Sequence, residues 1–197
     1  MLGWFLTKAA KIKRAEKKIT NMYLMAADRQ YYLYDLRDIG TEDAAKALIR
    51  RFTCSCENTT VDRDEKERSY QLLVEMGPVA VGPLKQYLKY NDQNVNWPFR
   101  ALRELMTREQ LLEFLIEILE SIGPDYVRDP ERKEQLLITA KEFKDERVAR
   151  AIVQYLGDDN ETIRFITAEA LFVLGFAFAA PDLAARLKDE ESQRIKN

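Results

Sequence analysis

Apolar residues recur at spacings of three and four along almost the whole chain, as in Val148, Ile152 and Tyr155. Strand-type alternation of apolar and polar residues is absent. The helical segments end at clusters of Gly, Pro, Asn or Asp, and the first is expected to break around Asn21 or Asp28. The pattern predicts an all-α fold. The predicted helices are 4–39, 41–53, 63–76, 79–90, 94–106, 108–122, 131–143, 146–156, 160–174 and 181–192.

Several of these helices end on a similar phrase, such as Leu36-Arg-Asp-Ile39-Gly40 and Leu171-Phe-Val-Leu174-Gly175. The last apolar residues of these phrases are 39, 76, 105, 143 and 174, so longer and shorter intervals alternate. The extra residues of the longer units lie in two predicted turns, Thr53 to Asp62 and Ser121 to Pro130. This alternation indicates a tandem duplication of a block that holds two helix pairs.

The stretch from Leu156 to Gly175 resembles a HEAT repeat, in which a turn with Asp precedes a Val/Ile-Arg pair and an Ala-rich helix. Asp158 and Asp159 occupy the turn, and Ile163-Arg164 forms the pair. The chain is therefore similar to the HEAT-repeat family of short α-solenoids.

Two further stretches carry the same resemblance. Leu88 to Leu105 is similar, with Asp92 in the turn, but Asn96 stands where the family has Arg and Pro98 falls in the first helical turn. The run from Met76 to Leu84 resembles the start of the shorter HEAT repeats of phycobilin lyases.

The resemblance covers residues 35–190 well and residues 1–34 weakly. It implies a right-handed α-α superhelix, a HEAT-like solenoid of about four to five helical hairpins. Each hairpin would bury its apolar face by stacking on its neighbours. We therefore expect a basic amphipathic segment at 1–34, a HEAT-like repeat domain at 35–192 and a short polar tail at 193–197.

The family resemblance also implies that the second helix of each pair lines a concave face on which partners dock. By that mapping the inner helices are 63–76, 94–106, 131–143 and 160–174. Aromatic and arginine side chains dominate the energetics of many interfaces. The expected solvent-facing and partner-binding residues are Lys66, Tyr70, Trp97, Arg100, Arg103, Lys133, Lys141 and Phe165.

Two roles are open for Trp97: it contacts a partner, or it fills the space left by the shorter repeat. For Asp92, Asp158, Asp159 and Arg164 we expect a structural role. The turn aspartates can accept hydrogen bonds from free N–H groups of the next helix. Arg164 can reach carboxylate or carbonyl acceptors in the adjoining repeat.

Charge is unevenly placed along the chain. Residues 1–20 hold six basic residues and one acidic residue, a net charge of +5. Since the whole chain has a net charge of −2, residues 21–197 carry −7. A mildly acidic body disfavours nucleic acid as a partner. The basic head could cap the repeat array, dock in a groove of a partner, or lie on an anionic membrane surface. Its expected docking residues are Leu2, Trp4, Phe5, Lys8, Lys11, Lys13, Arg14, Lys17 and Lys18.

The candidate chemistry is sparse because the chain contains no histidine. This excludes a Ser-His-Asp or Cys-His relay and a His-ligated zinc site. Cys54 and Cys56 are expected to be partly packed loop thiols in a reducing cytosol, since too few further ligands are present for a metal. We expect no metal and no cofactor.

These features predict a non-catalytic cytoplasmic scaffold or adaptor that binds a protein or peptide on its concave face. One alternative is a peripheral membrane or complex-anchoring subunit that uses the basic N-terminus. A helical-repeat enzyme, similar to phycobilin lyases or HEAT-like DNA glycosylases, is the catalytic alternative. The apolar run at the N-terminus is too short for a membrane span.

Overall fold

The computed structural model describes residues 7–91 and 93–190. Within these ranges the chain forms eleven α-helices and four 3₁₀ turns, and no strand. The all-α prediction is confirmed. No helix in the described ranges is both long enough and apolar enough to cross a membrane.

The first six helices belong to one compact unit and the last five to another, with the boundary between Thr107 and Arg108. The helices of unit 1 are α1 (Lys8–Ile19), α2 (Ala26–Ile39), α3 (Glu42–Ile49), α4 (Thr59–Glu75), α5 (Val81–Tyr90) and α6 (Asn96–Leu105), with 3₁₀ turns at Arg50–Thr53 and Gly77–Ala80. The helices of unit 2 are α7 (Arg108–Ile122), α8 (Glu131–Ala140), α9 (Glu146–Ile152), α10 (Glu161–Leu174) and α11 (Ala180–Asp189), with 3₁₀ turns at Val153–Gly157 and Ala177–Ala179.

Consecutive helices pair within each unit, and the pairs contact each other in two layers. In unit 1, α1 contacts α3 and α3 contacts α5, while α2 contacts α4 and α4 contacts α6. In unit 2, α7 contacts α9 and α8 contacts α10. We call the odd-numbered helices of a unit its odd layer and the even-numbered helices its even layer. The predicted boundary at residue 34 lies inside α2, and α1 packs on α2 and α3.

Most of the predicted helices are present, and their ends differ from the predicted ends where a capping residue sets the boundary. The long first helix breaks between residues 20 and 25, around Asn21 as expected. Helix α4 begins at Thr59 instead of residue 63, because the Asn58 side chain accepts hydrogen bonds from the N–H groups of Thr60 and Val61, both at 3.1 Å. Helix α8 ends at Ala140 instead of residue 143.

Glycine ends the recurrent phrase at Gly40 and Gly175, which adopt left-handed φ angles of 65° and 71°. Their N–H groups donate to the carbonyl oxygens of Leu36 and Leu171, at 3.4 and 3.0 Å. A residue with a Cβ is strained in this conformation. The phrase therefore marks a helix end for a stereochemical reason.

Each unit has its own apolar core. In unit 1, Ala44, Ala45 and Ala47 of α3 are all buried, and small side chains allow helices to approach closely. In unit 2, Tyr155 is fully buried and donates its hydroxyl hydrogen to the carbonyl of Leu119. Larger residues fill the space between helices, among them Leu33, Leu36, Leu48, Leu72, Leu73 and Leu84 in unit 1 and Leu115, Leu137, Ile152 and Leu171 in unit 2.

Candidate functional site

A group of arginine and aromatic side chains lies on the even layer of unit 1, where α4 and α6 meet. The guanidinium of Arg100 lies 4.5 Å from the ring centre of Tyr70 and 5.0 Å from that of Trp97. Its Nη atoms donate to the carboxylate of Glu67 at 2.9 and 3.4 Å. We call Glu67, Tyr70, Trp97 and Arg100 the Arg100 cluster. Three of the residues predicted to bind a partner are therefore brought together.

The Arg100 cluster is both supported and exposed. The buried ring of Phe52 stacks on Trp97, with centroids 6.3 Å apart and planes 6° apart. The Arg100 side chain is 40% exposed. A guanidinium that stacks on aromatic rings and pairs with a carboxylate is held in place before any partner arrives. Trp97 thus has a packing role, and its contact with a partner stays a prediction.

Arg103 stands apart from this cluster on the same helix. Its guanidinium lies 5.6 Å from the ring centre of Phe99, and the residue is exposed. Arg103 and the Arg100 cluster together give α6 two guanidinium groups that reach solvent.

A second group on the even layer was not predicted from the sequence. The guanidiniums of Arg37 and Arg68 lie 5.4 and 5.9 Å from the ring centre of Tyr34, at the contact between α2 and α4. Arg37 also pairs with Glu75 and with Asp38. The only sequence signal was the Tyr34 and Arg37 spacing of three, which places both on one side of a helix.

Lys66 was predicted to face solvent, and this prediction is wrong. Its ammonium group is buried, 2.8 Å from the carboxylate of Asp62 and 3.5 Å from the hydroxyl of Ser55. Lys66 is buried because it belongs to an ion-pair network on the buried side of α4, in which Asp62 replaces water as the partner of its ammonium group. A buried ammonium group needs such partners.

Arg51 and Arg29 complete that network around two carboxylates. Fully buried Arg51 donates to Glu65 at 2.8 Å and to Asp62 at 2.7 Å, and Arg29 donates to Glu65 at 3.0 Å. Burial disfavours the Asp62 carboxylate, but hydrogen bonds from Lys66 and Arg51 outweigh burial and lower its pKa below the ordinary value. The network joins α2, the 3₁₀ turn Arg50–Thr53 and α4.

Lys133 was also predicted to face solvent, and it is almost fully buried in unit 2. Its ammonium group donates to the carboxylate of Asp158 at 2.7 Å and lies 5.6 Å from the ring centre of Tyr155. Asp158 is buried too, so the two charges compensate each other. Burial, and then the Asp158 charge, raise the pKa of Tyr155. Asp158 pairs with Lys133 through one carboxylate oxygen, and its other oxygen accepts a hydrogen bond from the N–H group of Asn160 at 2.8 Å, one residue before α10 begins.

The N-cap of α10 is Asn160, so the free N–H groups of the helix itself are not bound by Asp158 or Asp159 as predicted, although Asp158 accepts from the N–H group of this cap residue. The Asn160 side chain accepts from the N–H groups of Thr162 and Ile163 at 2.8 and 3.3 Å. Asn160 is one residue closer to the first helical turn, which puts its side chain within reach of those donors. Asp92 lies outside the described residues.

Arg164 makes both kinds of contact that the repeat pattern suggested. It donates to the carboxylate of Glu190 at 2.9 and 3.0 Å, and to the carbonyls of Asp158 and Asp159 at 3.0 and 3.1 Å. The hydrogen bonds to Glu190 are the largest cause of the raised pKa of Arg164. The contacts fix Arg164 between the turn before α10 and the end of α11.

Of the other two predicted residues, Phe165 lies on α10 and Lys141 directly follows the last residue of α8. Lys141 donates to Glu169 at 2.7 Å, and this pair is much more exposed than Lys133 and Asp158. Phe165 is half-buried.

The basic N-terminal segment is only partly included in the described residues, which begin at residue 7. Leu2, Trp4 and Phe5 lie outside the described residues. Helix α1 carries the six predicted basic residues and buries Ala15 and Ile19 against unit 1. Lys8, Lys11, Lys13, Arg14 and Lys17 are exposed, and Lys18 is half-buried.

The structure adds basic residues to this head from distant parts of the sequence. The odd layer of unit 1 carries nine basic and three acidic residues, whereas its even layer carries seven basic and nine acidic residues. The odd layer of unit 2 carries five basic and seven acidic residues. Positive charge is therefore a property of one layer of unit 1.

Cys54 and Cys56 are half-buried free thiols in the loop before α4, which confirms that they are partly packed. Among the described residues no group of His, Cys, Asp and Glu side chains could hold a metal ion. No protein-family model matches this sequence, and no curated protein is found to be similar to it.

Proposed function

We propose that the protein is a non-catalytic scaffold or adaptor that binds a protein or peptide partner on the even layer of unit 1. The observation that carries the proposal is the Arg100 cluster, in which a half-exposed guanidinium lies over the rings of both Tyr70 and Trp97. Arg, Tyr and Trp are the residues most often found at the energetic centres of interfaces. Because the cluster is held by Glu67 and Phe52, little side-chain freedom is lost on binding.

A HEAT-like superhelix of about four to five hairpins is part of this proposal. The pairing of consecutive helices and the contacts within odd and even layers of each unit support it. We also propose a cytoplasmic location, because two cysteines at this spacing suit a reducing compartment.

Affinity capture with the full-length chain tests the proposed surface. Extracts of the native cell are passed over the immobilised protein, and the retained proteins are quantified by mass spectrometry. The Arg100→Ala and Trp97→Ala variants should each reduce retention of a specific partner by about tenfold or more, the usual effect at an interface centre.

The matched control for this experiment is Arg150→Ala. Arg150 also lies over an aromatic ring, 4.3 Å from the centre of Phe178, and pairs with Glu146, but it is on α9 of the odd layer. Equal retention by Arg100→Ala and Arg150→Ala, with unchanged circular dichroism, would place the binding surface elsewhere.

The second candidate function is attachment to an anionic membrane surface through the odd layer of unit 1. The excess of basic residues on this layer favours it, at about 1 kcal/mol for each Lys or Arg near such a surface. Lys46, Arg50 and Tyr90 line a groove of about 260 Å³ between α3 and α5, and Tyr90 is 77% exposed. A basic groove with an exposed aromatic residue suits the headgroup region of a bilayer.

Vesicle sedimentation separates this function from the first. Vesicles with phosphatidylserine should retain the protein at low salt, and phosphatidylcholine vesicles should not. Replacing exposed Lys13 and Lys17 by Glu should reduce retention by about tenfold or more. The control replaces exposed Lys144 and Lys188 of unit 2 by Glu, with the same change in net charge. Equal losses in the two double variants would exclude a specific membrane surface.

A further inference from the structure

A cavity of about 210 Å³ lies between α10 and α11 in unit 2. Its apolar wall is formed by Leu156, Ala168, Phe172, Leu183 and Leu187. Phe172 and Leu187 are 82% and 45% exposed, so large apolar side chains stand at the rim of the cavity. A concave, mostly apolar wall with a few polar groups is the usual form of a small-molecule site.

The polar side of the cavity consists of Arg164 and Arg186. Both guanidiniums donate to one buried carboxylate, that of Glu190, at 2.9 Å from Arg164 and 3.2 Å from Arg186. Arg164 is further held by two backbone carbonyls. Two guanidiniums therefore meet at one carboxylate beside an apolar wall.

The guanidinium of Arg186 makes fewer hydrogen bonds than that of Arg164. It donates to Glu190 through Nε, and within the described ranges its terminal nitrogens have no hydrogen-bond partner. Its side chain is 30% exposed. A guanidinium carries five N–H donors arranged as a fork that fits a carboxylate. The free donors of Arg186 are thus placed at the cavity for an anion.

We propose that this cavity binds an amphipathic carboxylate, namely a medium-chain fatty acid. The acyl chain lies against Phe172, Leu183 and Leu187, and the carboxylate accepts hydrogen bonds from the terminal nitrogens of Arg186. The cavity is somewhat larger than a cavity of about 150 Å³ that holds benzene, which suits an acyl chain close to the length of octanoate. Charge complementarity favours an anion, because Arg164 and Arg186 are the charged side chains that line the cavity among the described residues. The site is in unit 2 and does not depend on the proposed partner surface.

Titration of the full-length, isotope-labelled chain with sodium octanoate tests the proposal by NMR. Saturable shifts are expected at Ala168, Phe172 and Leu183 as octanoate rises to about 10 mM. Octanol, which has the same chain and no charge, should bind about tenfold more weakly or less, since charge-assisted hydrogen bonds are the stronger kind. This comparison requires no variant and so does not depend on variant folding.

Two arginine variants locate the carboxylate. Arg186→Met keeps an apolar stem, leaves Glu190 paired with Arg164, and should weaken octanoate binding by about tenfold without changing octanol binding. Arg150→Met, on α9, should change neither. Absence of saturable shifts, shifts confined to residues outside α10 and α11, equal affinity for octanoate and octanol, or an unaltered Arg186→Met variant would each overturn the proposal.

Discussion

Lys133 lies on α8 and Lys141 directly follows the last residue of that helix, yet their side chains differ in exposure to solvent. Lys133 pairs with Asp158 and Lys141 pairs with Glu169, both at 2.7 Å. The Lys133 side chain is 1% exposed and the Lys141 side chain 22%. Because water screens charge, equal distances do not mean equal coupling.

A double-mutant cycle on each pair measures this difference. For Lys133→Met and Asp158→Asn we expect a coupling of about 1–3 kcal/mol in the free energy of unfolding, the range for contacting residues in one network. For Lys141→Met and Glu169→Gln we expect less than about 1 kcal/mol, as for exposed pairs. Urea unfolding followed by circular dichroism gives both values. Equal couplings would mean that burial does not strengthen the Lys133 pair.

The partners of a lysine explain why its burial was not predicted from the sequence. A charged residue on a helix is normally assigned to solvent. Asp158, which neutralises Lys133, is 25 residues away and was itself expected to cap a helix. Tyr70, Trp97 and Arg100 were predicted as partner-binding residues from their residue types and helical positions alone. The contact of the Arg100 guanidinium with both rings depends on the packing of α4 against α6.

At the scale of the helices, the ends are decided by a few local residues. Gly175 ends α10 in a left-handed conformation, with φ of 71°. A Cβ at this position would lie 4.0 Å from its nearest neighbour, so space is not the obstacle. Gly82 of α5 has an ordinary helical conformation and open space around it. The two glycines therefore isolate the effect of backbone conformation.

Substitution of each glycine by alanine should affect stability to different extents. Gly175→Ala should lower the free energy of unfolding by about 1–2 kcal/mol, the strain of a left-handed residue with a Cβ. Gly82→Ala should change it by less than about 1 kcal/mol, because the better helix propensity of alanine is offset by its contact with the ring of Pro83. Thermal and urea unfolding check both values. A neutral Gly175→Ala variant would show that the end of α10 does not require glycine.

The predicted helix ends that proved wrong also depend on local groups. Asn58 starts α4 earlier than the apolar pattern suggested, and Asn160 takes the capping role assigned to the preceding aspartates. Several asparagine and aspartate residues compete in such turns, and the backbone conformation decides which side chain reaches the free N–H groups.

For the molecule as a whole, the absence of histidine sets the dependence of stability on pH. No side chain has an ordinary pKa between about 5 and 8. Hydrogen bonds from Arg147 lower the pKa of Asp145 and Glu109, and the Lys66 and Arg51 contacts outweigh burial to lower that of Asp62. A lowered pKa in the folded state means that the stabilisation is present above the unfolded value, about 4, and is lost as pH falls through the folded value.

The free energy of unfolding should therefore be almost constant from about pH 6 to pH 8 and fall below about pH 4. Urea unfolding at a series of pH values measures it. Asp62→Asn should have a lower stability at pH 7 and a smaller further loss on acidification, whereas Asp159→Asn, at an exposed residue, should follow the wild-type curve. A steep change between pH 6 and pH 8 would contradict the prediction.

The all-α class, most helix positions and the excess of positive charge at the N-terminus were determined by the sequence alone. They depend on spacing and composition within single helices, which are local properties. The tertiary structure decided which charges meet: the addition of Lys46, Lys85 and Lys89 to the basic layer, the network that buries Lys66, and the Arg100 cluster. These features require contacts between helices distant in sequence, and a helical pattern specifies that a face is buried but not what it is buried against.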